Sequence, residues 1–206
     1  MRLLRRIRAA LHRCPTDCGV ADPAGIYRDV SFANQPTTPD QARIADVLAT
    51  QLRPESRILH IGVGNSGLAV RFAPAIAHIE GITIVPDELT AAIALNLPNY
   101  RVTLLNKHSP SLAKLPGPFD VIVDNNPGSF ACCRRHFGDM LHIYANLLSP
   151  TGQILTDERG ANWRQSGGLA LNWRTWSNYG KRYNLVPKRI TASVWSLGVA
   201  NPAPVR

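Results

Sequence analysis

The chain has 206 residues, of which 45% are hydrophobic, and a formal charge of +9. This length and apolar content give one domain with a full-sized core and exclude wholesale disorder, and no apolar stretch approaches the roughly 20 residues needed to span a bilayer. The charge favours an anionic partner, whether nucleic acid, lipid headgroups or a phosphorylated substrate, without choosing among them. Four cysteines, Cys14, Cys18 and the adjacent Cys132 and Cys133, lack the spacing of paired metal ligands. They read as reduced thiols of a cytoplasmic protein, and a zinc site joining Cys132, Cys133, His136 and His142 is the weaker alternative, so no metal is expected.

Residues 1–13 carry Arg2, Arg5, Arg6, Arg8 and Arg13 with no acid before Asp17, and Leu3, Leu4, Ile7 and Leu11 fall on the opposite side of a helical wheel. A basic amphipathic helix of this kind packs on its own domain, lies on an anionic membrane surface as a peripheral contact, or acts as a targeting presequence. Residues 14–37, rich in Pro, Asp, Gly, Thr and Asn, read as a linker or a lid-like segment. The chain thus divides into a basic helix and linker over 1–37 and a folded domain over 38–206.

That domain opens on Thr38-Pro39-Asp40-Gln41, a helix cap with proline at the first helical position and a glutamine able to close a capping box. Ile44, Val47, Leu48 and Leu52 form the helix's apolar face. The pattern then predicts strand 57–61, helix 66–78, strand 81–85, helix 87–96, strand 101–105, strand 119–123, helix 132–148, a turn at 149–152 and strand 153–157. Two consecutive strands, 183–191 and 193–199, follow. Strands alternating with helices predict an α/β, doubly wound, mostly parallel sheet, closed at the end by an antiparallel pair.

The first strand runs into Gly62-x-Gly64-x-x-Gly67 and then an alanine-rich helix. Gly62 can take a backbone conformation closed to other residues, Gly64 lets the main chain approach a ligand, and Gly67 lets the helix pack close to the sheet. Strand, glycine turn and helix in this order bind NAD, FAD and S-adenosyl-L-methionine alike. A tight turn in another α/β protein is the bland alternative.

Over roughly residues 38–200 the chain resembles the class I S-adenosyl-L-methionine-dependent methyltransferases, a Rossmann-like family. The resemblance is carried by Ile58 to Gly67, Gly81 to Leu89, Phe119 to Asp124 and Leu147 to Ile154, which look like the family's glycine loop, second strand with its Pro-acid helix start, fourth strand, and turn before the fifth strand. It implies a seven-stranded sheet with cofactor and substrate at the carboxyl ends of the strands. It also implies that Gly62, Gly64, Asn65 and Gly67 meet the amino-acid part of the cofactor, Thr83 the ribose and Asn106 the adenine, with His60 a further cofactor-binding position before the first glycine. Three positions where the family usually has acids carry His60, Thr83 and, after the third strand, Asn106-Lys107. Asp87 or Glu88 is an alternative ribose partner, although both are also ordinary first-turn acids.

Acceptor chemistry is expected just beyond the fourth strand at Asp124-Asn125-Asn126-Pro127, a partial match to the amine-orienting Asn-Pro-Pro-aromatic motif of some members. Asp124 is the candidate general base and Asn125 the candidate orienting residue; a polar loop at a strand end explains them without chemistry. In segment 158–182, Trp163, Trp173, Trp176 and Tyr179 lie among Arg159, Arg164, Arg174, Lys181 and Arg182. These either cover the site of an anionic acceptor or place tryptophans against the sheet. The leading functional expectation is methyl transfer to an oxygen or nitrogen of an acceptor that is anionic or presented at an anionic surface, nucleic acid included. The alternatives are a non-catalytic binding or partner protein with the same fold and an aminopropyl transferase; an NAD-dependent oxidoreductase lacks the expected second-strand signal.

Overall fold

A computed structural model of the chain describes residues 30–131, 133–163 and 169–200. The basic helix expected over 1–13, residues 14–29, Cys132 and Arg164 lie outside the described residues.

Helix α1 (Pro39–Ala49) begins where its capping signal places it, with the Thr38 N–H donating to Gln41 Oε1 at 3.0 Å. It buries Ile44, Val47 and Leu48 and leads into β1 (Arg57–Ile61). The following α2 (Gly67–Phe72) is shorter than the expected 66–78. Pro74 has no N–H to continue the ladder, so the chain tightens into a 3-10 turn over Ala73–Ala75. The chain therefore reaches the sheet early, and β2 spans His78–Thr83 instead of 81–85. Gly81 lies inside this strand, where a Cβ would come within 2.6 Å of Val63 Cγ1, so the glycine marks close packing and not the strand's start.

Helix α3 (Pro86–Ala94), strands β3 (Tyr100–Leu104) and β4 (Phe119–Asp124) and helix α4 (Arg134–Leu147) follow close to their expected bounds. Strand β5 (Leu148–Asp157) absorbs the expected turn at 149–152. Leu148 already pairs with Phe119, and the register shifts between Phe119 and Val121, so the Ser-Pro-Thr-Gly stretch is a bulge within a longer strand. Short α5 (Glu158–Asn162), α6 (Trp173–Arg182) and the strands β6 (Leu185–Arg189) and β7 (Val194–Val199) complete the chain.

The sheet has the order β3-β2-β1-β4-β5-β7-β6. Strands β1 to β5 pair in parallel, and β7 is antiparallel to both β5 and β6. The expected doubly wound sheet with an antiparallel final strand is therefore present. Alternate residues of each strand feed two cores. Ile58, Ile79 and Val121 pack under Ile44 and Leu48 of α1 and Phe72 of α2, while Leu59, Ile122 and Ile154 pack under Phe137, Met140 and Tyr144 of α4 and Trp176 of α6. Trp176 is fully buried and Trp173 meets Trp195 edge-on at 5.7 Å, so these two tryptophans serve packing, and Arg189 stacks over Trp173 at 5.0 Å. Between β1 and β4, whose following helices leave on opposite faces, the strand ends open into a crevice. No helix among the described residues is long and apolar enough to cross a membrane.

Candidate functional site

The crevice is a cavity of about 370 Å³ at the carboxyl ends of β1, β2 and β4, walled on its outer side by residues from 30 to 41. Ligand pockets of about 300–1,000 Å³ take small molecules. Of the residues singled out from the sequence, His60, Gly62, Gly64, Asn65, Thr83, Asn106, Asp124 and Asn125 all line it. Gly67 does not; it borders a smaller cavity beside it, where a Cβ would come within 2.7 Å of Thr37 Oγ1.

The glycine loop is held open by its backbone. Gly62 and Gly64 have φ of 70° and 52°, in the left-handed region, and a Cβ on Gly62 would have nothing within 4 Å. The Gly62 N–H donates to the Ile82 carbonyl at 2.8 Å, stitching the turn to β2. Asn65 Oδ1 accepts the Gly67 N–H at 2.9 Å, and its Nδ2 donates to the Gln35 carbonyl at 2.8 Å and Thr37 Oγ1 at 3.2 Å. Residue Asn65 thus caps α2 and straps residues 35–37 across the loop. Residues 30–37, read from the sequence as linker or lid, contribute Val30, Phe32, Gln35 and Pro36 to the cavity wall.

At the tip of β2, Thr83 donates its hydroxyl to Glu88 Oε2 at 2.5 Å and accepts the Val85 N–H at 3.1 Å. Glu88, in the first turn of α3 and 3% exposed, also accepts the Phe32 N–H at 3.1 Å. A buried carboxylate therefore stands beside the tip of β2, supplied from the next helix and fixed there by Thr83. On β1, burial pulls the His60 imidazole down to about 4, so it is neutral at physiological pH, and its Nδ1 has no partner. Asn106 Oδ1 accepts the His108 N–H at 2.9 Å, which orients the amide and leaves Nδ2 without a partner among the described residues.

Asp124, expected as a general base, is instead a saturated acceptor. Its Oδ1 receives Lys107 Nζ at 3.1 Å and the Asn126 N–H at 3.2 Å, and its Oδ2 receives Lys107 Nζ at 3.0 Å and the Tyr144 hydroxyl at 2.9 Å. Burial lowers the Lys107 ammonium from its usual range, with Asp124 pulling the other way, and burial raises Tyr144 well above the usual phenol value. Lys107 Nζ also donates to the Asn126 carbonyl at 2.6 Å. Asn125 donates Nδ2 to Asp40 Oδ2 at 2.5 Å, keeps Oδ1 buried without a partner against Gly160, and accepts Thr156 Oγ1 on its carbonyl at 3.2 Å. Burial alone would raise Asp40, but hydrogen bonds from Asn125 and Thr38 and the charge of Arg159 outweigh it and leave it below the usual carboxylate value.

Helix α5 closes the end of the cavity beside Asn125. Arg43 grips buried Asp157 through Nε at 2.9 Å and Nη2 at 2.8 Å, and Asp157 Oδ1 accepts the Arg159 N–H at 2.9 Å. Gly160 lies so close to Asn125 that a Cβ would overlap its carbonyl and side chain. This seating brings Arg159 and Trp163 to the cavity, with Trp163 38% exposed. The Arg159 guanidinium makes no ion pair or hydrogen bond among the described residues. No functional signal in the sequence marks Asp40, which reads as part of a helix cap, or Phe32, Phe130 and Tyr144, which reach the site only through the fold.

No protein-family model and no curated protein sequence matches the chain. Solved structures do. The N-methyltransferase NodS from Bradyrhizobium japonicum WM9, in complex with S-adenosyl-L-homocysteine, is 14% identical, with a TM-score of 0.63 over 84% of this chain and 95% of that one. CalS10, a SAM-bound amino pentose methyltransferase from Micromonospora echinaspora involved in calicheamicin biosynthesis, is 12% identical with a TM-score of 0.59 over 84% and 93%. The [4+2]-cyclase SpnF is 16% identical with a TM-score of 0.54 over 83% and 68%, so one fold also serves another chemistry. With its strand order, antiparallel β7 and cavity at the β1–β4 crevice, the chain has the fold of the class I S-adenosyl-L-methionine-dependent methyltransferases.

Proposed function

We propose that the chain binds S-adenosyl-L-methionine in this cavity and transfers its methyl group to an oxygen or nitrogen of a second ligand held beside Arg159 and Trp163. The observation that carries this function is the juxtaposition of an open glycine loop with the buried carboxylate of Glu88 on one cavity wall. When bound, the cofactor supplies an electrophilic methyl group on a sulfonium sulfur. Gly62 and Gly64 let the main chain lie against the ligand without side chains between, and Glu88 offers charge-assisted acceptance to ribose hydroxyls. Asn106 Nδ2 is a donor for a base nitrogen. Asn65 ties the Gln35 carbonyl across the loop, and Val30, Phe32, Gln35 and Pro36 wall the cavity there.

The charge of the wall supports a cationic ligand over a pyrophosphate. The Lys107–Asp124 pair neutralises itself, and of the remaining charged lining residues Asp40 and Glu88 outnumber the single cation Arg159. Methyl transfer is an in-line displacement that depends chiefly on proximity and alignment, so a saturated Asp124 does not disable it.

Calorimetric titration with S-adenosyl-L-methionine, S-adenosyl-L-homocysteine and NAD tests the proposal. Saturable binding of both sulfur nucleosides without NAD is the expected result. Binding of NAD alone, or of none of the three at millimolar ligand, would overturn it.

A further inference from the structure

We infer that the acceptor is a carboxylic acid with an apolar or aromatic body, and that the product is its methyl ester; the inference rests on the methyltransferase function proposed above. Two independent features of the cavity lead there. The first is that no side chain at the acceptor end is placed to take a proton. All four acceptor positions of Asp124 are filled by Lys107, Tyr144 and Asn126, and Lys107 Nζ is itself engaged by both Asp124 oxygens and the Asn126 carbonyl. Asp40 is engaged by Asn125, and the lowered proton affinity of Asp40 and of His60 makes each a weak base. A neutral alcohol or an ammonium would find no base at neutral pH. Two oxygens that could orient an amine lone pair are committed as well, the Asn126 carbonyl to Lys107 and the Asn125 carbonyl to Thr156, while Asn125 Oδ1, which has no partner, is packed against Gly160.

The second feature is the free cation. Arg159 lines the cavity together with Phe130 and Trp163; its guanidinium makes no ion pair or hydrogen bond among the described residues, and its charge acts on Asp40. A planar guanidinium matches a carboxylate bidentately, and the two rings suit an apolar body. A carboxylate arrives already ionised, so the missing base is not needed. One carboxylate oxygen lone pair forms the new O–CH3 bond as the S–CH3 bond breaks; sulfur keeps the bonding pair, and no proton moves. The positive and negative charges cancel, leaving a neutral thioether sulfur and a neutral ester.

The full chain is incubated with S-adenosyl-L-methionine carrying a tritiated methyl group and with benzoate, trans-cinnamate or decanoate, each beside its matched alcohol and amine. Label is expected in at least one acid and in none of its partners, and mild alkali should release it as volatile methanol. In Arg159→Ala, kcat/KM for that acid should fall at least about tenfold, the scale of a lost charge-assisted bond, while Arg159→Lys retains part of it and S-adenosyl-L-homocysteine affinity is unchanged in both. Alkali-stable label, label in the alcohol or amine, or ester formation indifferent to Arg159→Ala would each overturn the inference. So would a protein that binds S-adenosyl-L-homocysteine yet methylates no acid. Loss of nucleoside binding in the unmodified chain would instead overturn the cofactor proposal beneath it.

Discussion

Replacing Lys107 by methionine tests the reading of Asp124 as a structural acceptor. The ion pair is nearly dry, with side-chain exposures of 9% for Lys107 and 1% for Asp124, so solvent screens it little. Removing one partner of a buried pair leaves an uncompensated charge and costs about 3–5 kcal/mol. At about 2–4 °C per kcal/mol for a chain of this size, the melting temperature of Lys107→Met should fall by about 6–20 °C. The Tyr144 hydroxyl and Asn126 N–H remain on the carboxylate, which favours the lower half of that range. Adding Asp124→Asn removes the stranded charge while keeping an acceptor for Tyr144, so the double variant should recover more than half of the loss. Urea denaturation of the four proteins in the double-mutant cycle gives the coupling directly. A cost below about 1 kcal/mol for Lys107→Met, the value of a solvated pair, would refute the buried geometry.

Glu88→Gln keeps the shape of the site but removes its charged acceptor, and S-adenosyl-L-homocysteine should bind about 10- to 100-fold more weakly by calorimetry, the range for hydrogen bonds to a charged group; unchanged affinity would remove Glu88 from the ribose site. Gly160→Ala must push α5 away from Asn125, so methyl transfer should fall sharply while stability drops by only about 1–3 kcal/mol, the usual cost of overpacking. Stability should also fall with acid: His60 is pulled from 6.5 to about 4 and His108 to about 3, both first by burial, so the unfolded chain binds more protons as pH drops from about 6.5. For His60 the full effect is about 3 kcal/mol, present above pH 6.5 and lost by about pH 4. Denaturation midpoints of His60→Gln should be correspondingly flatter over that window.

The fold was legible because its signals are local. Thr38-Pro39-Asp40-Gln41 starts a helix through its own backbone and side chains, and Gly62 and Gly64 turn the chain through φ values that few other residues accept. The structure departs from the pattern where packing or pairing overrides a local signal. Gly81, the expected start of a strand, lies inside it as a packing contact with Val63, and Ser149-Pro150-Thr151-Gly152, expected as a turn, is a bulge held by pairing with β4. The site was legible only as a set of strand ends. That Lys107 would reach Asp124, or Asn125 reach Asp40, depends on side chains brought together from 17 and 85 residues apart, for which sequence pattern carries no sign.

Side-chain pairs also explain how a chain without the usual acids keeps an anionic cavity. His60, Thr83 and Asn106 stand where the resemblance leads one to expect carboxylates, yet carboxylates line the cavity from other elements: Glu88 from α3 and Asp40 from α1. Each is held by a neutral cavity residue, Glu88 by the Thr83 hydroxyl and Asp40 by the Asn125 amide, so position 83 orients an acid instead of supplying one. Substituting an acid at position 83 should therefore weaken cofactor binding. Two carboxylates would face each other across a distance now spanned by a 2.5 Å hydrogen bond, and like charges that close in a buried site cannot both stay ionised without several kcal/mol of repulsion. Thr83→Asp should bind S-adenosyl-L-homocysteine more weakly at pH 8 and recover toward pH 5 as one carboxyl protonates. Tighter binding at pH 8 would show that position 83, and not Glu88, holds the ribose.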